Sequence, residues 1–238
     1  SLGGLLALAG LGGLGALLVA GLRTRSRSPV APGGLRSSWA QIGEGLRYVR
    51  GQPRIWGVVL ITAIMNFWAF PFQGLLPVFA RDVLGQGPMG LGLLAAANGA
   101  GSLAGLVVVN QSRRWWSNEW LFGGGSALAC LGIAGFACSS SFPLSLALLV
   151  LSGLGQAGFS VMQSSITLVE ATDEMRSRAM GAVVLAIGTG PLGRLASGAL
   201  AASLGAPLAV GSMAAGALLA AAGTLALLPG FARLRSEH

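Results

Sequence analysis

Apolar runs recur along the whole chain, each about the twenty residues needed to cross a bilayer as a helix, and almost no charge interrupts them. Seven such segments lie near 1–22, 55–80, 89–110, 119–138, 143–169, 180–204 and 207–230. Charged residues make up 9% of the 238 residues and hydrophobic ones 53%, whereas a soluble domain carries roughly a quarter charged residues. So few charges cannot cover the exterior of a soluble fold this size. The pattern predicts an all-α membrane protein with a lipid bilayer as its surroundings. Gly, Ala and Ser fill the segments, which lets helix backbones approach closely; Gly101 with Gly105, and Gly211 with Ala215, have the spacing for it.

The basic residues are all arginine, and the single histidine is His238. Without a lysine there is neither a P-loop nor a retinal Schiff base. Without an internal histidine, histidine-dependent membrane hydrolases lack their base. No credible nucleophile, base or metal set remains, so the chain reads as a non-enzyme with no cofactor. The net charge of +8 does not point to nucleic acid, because the arginines sit in short connections between apolar runs. Their distribution instead predicts topology. Arg23, Arg25, Arg27, Arg36, Arg47, Arg50, Arg54, Arg113, Arg114, Arg176, Arg178, Arg233 and Arg235 fall on one side, Arg81 on the other, and Arg194 within a segment. The expected arrangement is a multi-pass protein of a bacterial-type cytoplasmic (inner) membrane, amino end outside and carboxyl end cytoplasmic. Cys130 and Cys138 share one apolar segment and read as two buried thiols.

The chain starts at Ser1 inside an apolar run, with no basic flank before it and no cleavage site after it, which reads as an internal start in a longer protein. Residues 23–54 form the one long connection. Its first part mixes Arg, Ser, Pro and Gly as a linker does. Over 38–50, Ser38 and Gln41 have capping-box spacing, and Trp39, Ile42, Leu46 and Val49 share a helical face. Two placements are open for this amphipathic helix: on the membrane surface, or packed beneath the bundle.

Several stretches, taken in order, resemble the second half of a major facilitator superfamily transporter: EGLRYVRGQPRIW (44–56), LLPVFARDVLG (75–85), GLGLLAAANGAGSLAG (90–105), TDEMRSRAMG (172–181) and GPLGRLASGALAASLGAPLAV (190–210). The most similar branch is that of transmembrane secretion effectors, which includes the enterobactin exporter. The resemblance covers about residues 38–230. It implies a six-helix C-terminal half over 55–230, preceded by the last helix of the first half (1–22) and the central cytoplasmic linker (23–54), and followed by a cytoplasmic tail (231–238). It further implies a partner in the missing N-terminal half of the same transporter, and a small-molecule substrate moved by alternating access around a site near the midplane. The chain departs from the family in the loop Asn110 to Asn118, which has two tryptophans where an acid is usual, and at Arg194, where a small or apolar residue is usual.

Polar residues inside membrane segments are costly and often functional. In 143–169, Gln156, Ser160, Gln163 and Thr167 recur at steps of three and four and share one helix face, with Phe159 and Met162 beside it. In 55–80, Asn66, Phe70 and Gln73 do the same, near Pro71, Gly74 and Pro77, which can kink the helix and free carbonyls. The resemblance implies that both segments line the central cavity; the alternative is that these amides only join helices. Asn98 reads as an interhelical hydrogen-bonding residue, with a substrate contact as the alternative. Arg194 either faces the cavity or snorkels to the outer surface. Glu170, Asp173, Glu174, Arg176 and Arg178 form a mixed-charge cluster that, by the resemblance, gates the cytoplasmic side. Aromatic rings beside amides suit an amphipathic organic substrate better than a simple ion, and the resemblance implies an exporter of drug- or siderophore-type molecules. A non-transporting scaffold or receptor-like bundle is the competing reading, and it requires the polar faces to be buried in tight packing.

Overall fold

In the computed structural model, the described residues are 35–227, with side chains from residue 43 onward. The predicted segment 1–22, most of the linker and the tail 231–238 lie outside them. Helix α1 (Leu35–Arg50) is followed by six helices long and apolar enough to span a bilayer: α2 (Pro53–Val83), α3 (Pro88–Ser112), α4 (Asn118–Cys138), α5 (Phe142–Glu170), α6 (Arg176–Leu204) and α7 (Ala206–Leu227). No strand occurs among the described residues. The spans α2 and α3 open on Pro53 and Pro88, where a missing N–H costs nothing. Ser117 caps α4 by accepting the Trp120 N–H at 3.4 Å.

The amphipathic helix begins at Leu35, so Ser38 lies inside it and is not its N-cap. Its second half packs against the bundle, as the second of the two placements requires. Val49 is fully buried, and Gly45 approaches the Arg178 backbone so closely that a Cβ would sit 3.2 Å from its carbonyl oxygen.

Helix α5 is the axis of the bundle and packs along both α3 and α4. A Cβ on Gly101 would collide with the Val150 carbonyl, and one on Gly153 with the Asn98 carbonyl, so α3 and α5 touch backbone to backbone. The Asn98 amide donates to the Leu149 carbonyl at 3.3 Å across the same seam. Gly155 meets α4 at Gly125 and Ala129 with no room for a side chain. The Gly211 position is looser, in ordinary contact 3.6 Å from the Ala137 methyl. Of the two cysteines, Cys130 is buried with its thiol 3.6 Å from the Met65 sulfur, but Cys138 is exposed at the last residue of α4. A periodic apolar run does not say which side of its helix meets a neighbour, and that choice placed Cys138 wrongly.

Helix α2 is not a regular α-helix. Met65–Ala69 and Phe79–Val83 are wide π turns. In the first, the Phe70 N–H reaches back to the Met65 carbonyl at 2.9 Å. Pro71 has no N–H for the carbonyl four residues earlier and would clash with it in a regular helix, and the wide turn relieves that conflict. The freed Phe67 carbonyl does not open to a cavity. Gly193 of α6 lies directly over it, so that any Cβ there would overlap the oxygen. Helix α6 is itself interrupted between Ile187 and Gly190, and the Thr189 hydroxyl lies within hydrogen-bonding distance of two carbonyls, Ala186 at 2.8 Å and Ala63 of α2 at 3.2 Å. The two irregular segments therefore face each other.

Candidate functional site

The α5 stripe and the α2 stripe run antiparallel, and the structure joins them over part of their length only. At the basic end, Arg54 pairs with Glu170 at 2.5 Å. One step deeper, the Gln163 amide donates to the Thr62 hydroxyl at 2.7 Å; Thr62 and Gln163 are both buried. Thr167 beside them donates to the Gln163 carbonyl at 2.8 Å. Deeper again, the Phe70 ring meets Phe159 edge-on, 5.4 Å between centroids, and Phe159 stacks on Phe122 of α4. Asn66 lies on the same face, and its amide donates to the Thr62 carbonyl at 2.9 Å. Gln163, Phe159 and Phe70 are thus drawn into one seam, while Asn66 bonds within its own helix.

Gln156 and Ser160 belong to the same stripe but stand on its α3 side. They border an open depression of about 450 Å³ with Gly99, Ser102, Leu103 and Leu106 of α3. Neither side chain has a hydrogen-bond partner among the described residues, and the same holds for the exposed Gln73 and Arg194. The structure brings no described side chain to the Arg194 guanidinium; its backbone carbonyl accepts from Ser197 at 2.9 Å. Among the described residues, buried side-chain polar atoms are all partnered. The unpaired polar groups are confined to open surface.

The charge cluster holds one pair within itself and sends two others out to α2 and α1. Glu170 goes to Arg54. Asp173 takes Arg176 at 2.6 Å, and the Arg176 Nε donates to the Leu168 carbonyl at 2.9 Å. Arg178 reaches Glu44 of α1 at 2.6 Å, while the Thr172 N–H donates to the Tyr48 hydroxyl at 3.3 Å. Glu174 is exposed, with no such partner among the described residues. The cluster ties α1 and α2 to the α5–α6 turn.

Sequence reasoning missed Arg54, Glu44, Tyr48 and Thr62. For Thr62 a signal was present: it stands four residues before Asn66 and extends the α2 stripe by one turn. Glu44 is the lone acid of a basic connection, which marks it for an ion pair without naming the partner.

A family model for transmembrane secretion effectors matches residues 4–236, nearly the whole chain. No curated protein and no solved structure matches it.

Proposed function

This chain belongs to the transmembrane secretion effector family of major facilitator-type transporters, which act on small molecules and are not enzymes, and we propose that it exports amphipathic organic compounds by alternating access. The observation that carries this reading is the split polar stripe of α5. Polar side chains at membrane depth need a protein partner, water or a solute. Gln163 has its partner, and Gln156 and Ser160 do not. An apolar depression with a few polar groups suits a ligand that is itself mostly apolar. In this reading Gln156, Ser160, Gln73 and Arg194 contact substrate or its water directly. Asn66, Phe70, Phe159 and Gln163 reach it only when the α2–α5 seam parts. The charge cluster, with Glu44 and Arg54, latches the inner end while the seam is closed. A second six-helix unit covers the open polar face and completes the cavity. The scaffold reading would need the whole stripe buried, and its α3 side is open.

Two measurements test this. In the full-length protein, Gln156→Ala and Ser160→Ala are expected to change the range of compounds exported while leaving folded protein in the membrane. An unchanged export profile for the double variant would remove the site. The arginine bias supports a cytoplasmic position for the Arg54, Arg113 and Arg176 end. A cysteine at Ser112 is therefore expected to react with an impermeant thiol reagent only from inside, and one at Ser140 only from outside. The reverse pattern would invert the topology.

A further inference from the structure

The transport reading makes no use of the loop between α3 and α4, where two tryptophans stand in place of an acid. Arg113 and Arg114 are exposed just beyond α3. Trp115, Trp116 and Trp120 are exposed as well, and the Trp116 and Trp120 rings meet edge-on at 6.4 Å. Behind them a groove of about 290 Å³ runs between α3, α4 and α5. Trp116 and Trp120 form its mouth, Val108 and Leu128 its walls, and Gly125 and Gly155 its floor. The floor is bare because those glycines bring α4 and α5 together: a Cβ on Gly125 would stand 2.8 Å from the Gly155 carbonyl oxygen. From Asn118 at the start of α4 to Leu128 is a rise of about 15 Å at 1.5 Å per residue. That is half of a hydrocarbon core about 30 Å thick, the depth of one leaflet.

We propose that this groove holds an acyl chain of an anionic phospholipid from the leaflet on that side, with the lipid phosphate on Arg113 and Arg114. Indole rings favour the headgroup level, which sets the mouth at the right depth. Guanidinium groups bind phosphate in a forked geometry. Arg113 spends one nitrogen on the Ser165 hydroxyl at 3.3 Å, and Arg114 has no side-chain partner among the described residues. Glu119, in the first turn of α4, is the acid of this turn; two guanidinium groups against it leave the mouth net positive. The positive end of the α4 dipole adds to the same field. An apolar slot below a cationic rim fits a lipid, and a soluble anion would leave the slot empty.

Native mass spectrometry of the detergent-purified full-length protein, incubated with phosphatidylglycerol or phosphatidylcholine of the same chains, reads this without any transport assay. Phosphatidylglycerol is expected to be retained over phosphatidylcholine, and Arg113→Gln and Arg114→Gln each to lower its retention roughly fivefold. Gly124 beside the groove has open space where a Cβ would stand. Gly124→Leu should therefore fill the slot, keep the charges and the melting temperature, and also lower retention. Equal retention of the two lipids by the parent protein would overturn the proposal. Full phosphatidylglycerol retention in Gly124→Leu would leave only a diffuse basic surface and overturn it too. A dimer that Trp120→Ala dissociates with lipid retention unchanged would assign the groove to a second copy, with the same consequence.

Discussion

Where α3 and α4 meet α5, backbones touch through a series of glycines; where α2 meets α5 and α6, a single glycine, Gly193, makes such a contact, and the rest of the joining is done by an ion pair, an amide, a hydroxyl and two helix interruptions. The first kind of contact has one geometry. A backbone seated in a glycine notch cannot slide without losing dispersion along its whole length. The second kind can part in steps, because each polar contact has water as an alternative partner and is worth little by itself. A transporter half needs both: a wing that keeps its shape and a seam that exchanges partners. The interruptions of α2 and α6 lie in the seam and not in the wing; there the Thr189 hydroxyl reaches the Ala63 carbonyl, and Gly193 covers the Phe67 carbonyl.

The largest effect should come from the wing. Gly155→Leu and Gly153→Leu push a side chain into backbone, with no flexible neighbour to yield, and should cost about 3 kcal/mol or more. Neither protein should elute as a monodisperse peak on size exclusion, whereas Gly124→Leu, which meets open space, should elute like the parent. Normal elution of both wing variants would mean that the α3–α4–α5 contacts are not rigid, and the contrast with the seam would fail.

In the seam the effects should be smaller and coupled. Arg54 and Glu170 are only partly shielded, 33% and 25% exposed, so their pair should contribute about 1 kcal/mol or less. Arg54→Glu alone should lower the melting temperature, and adding Glu170→Arg should restore part of it; strictly additive losses would show that the pair is geometry without coupling. Smaller again is the Gln163–Thr62 bond. Thr62→Val and Gln163→Ala should each cost about 0.6 kcal/mol, and the double variant hardly more than either. The same variants should shift the balance between inward- and outward-labelled states of the full-length protein, a readout that a purely structural bond would leave still.

The two regions were not equally legible in the sequence. The six described spans and the spacing of Gln156 with Gln163 follow from periodicity within single helices, which composition and spacing record directly; the wide turn at Met65–Ala69, which includes Asn66 and breaks the spacing expected to put it on one face with Gln73, does not. What one helix chooses on another is not local. Nothing near Gln163 says that its partner is Thr62 rather than water, and the face of α5 splits into a closed and an open half only because α2 covers one side of it. Pro71 announced an interruption, but the covering of the Phe67 carbonyl depends on Gly193, more than a hundred residues away. The glycines were visible as small residues; that Gly101 is buried against backbone while Gly124 looks onto an empty groove is decided by packing alone.

The smallest and sharpest test is Arg194. It stands four residues beyond Gly190 on α6, exposed, with no described side chain at its guanidinium, while Gly193 next to it locks onto α2. While that contact holds, it sets the side of α6 on which the charge stands. A charge at a membrane centre costs roughly 2.5–3.5 kcal/mol on insertion scales, so the side chain reaches the interface, water in a cavity, or a carboxylate or substrate anion. If it only snorkels, Lys does the same and Leu removes a cost, so that export is unchanged in both variants and the Leu protein is if anything more stable. If it holds an anionic group through a forked contact, Lys supplies the charge without the geometry. Export should then fall in Arg194→Leu and recover in part in Arg194→Lys, with substrates lacking an anionic group affected least. Stability barely separates the alternatives, since an exposed arginine with no partner contributes little to the fold; the export ratio between the two variants does. Full export by the leucine protein would place Arg194 outside the cavity and leave Gln73, Gln156 and Ser160 as the open polar face.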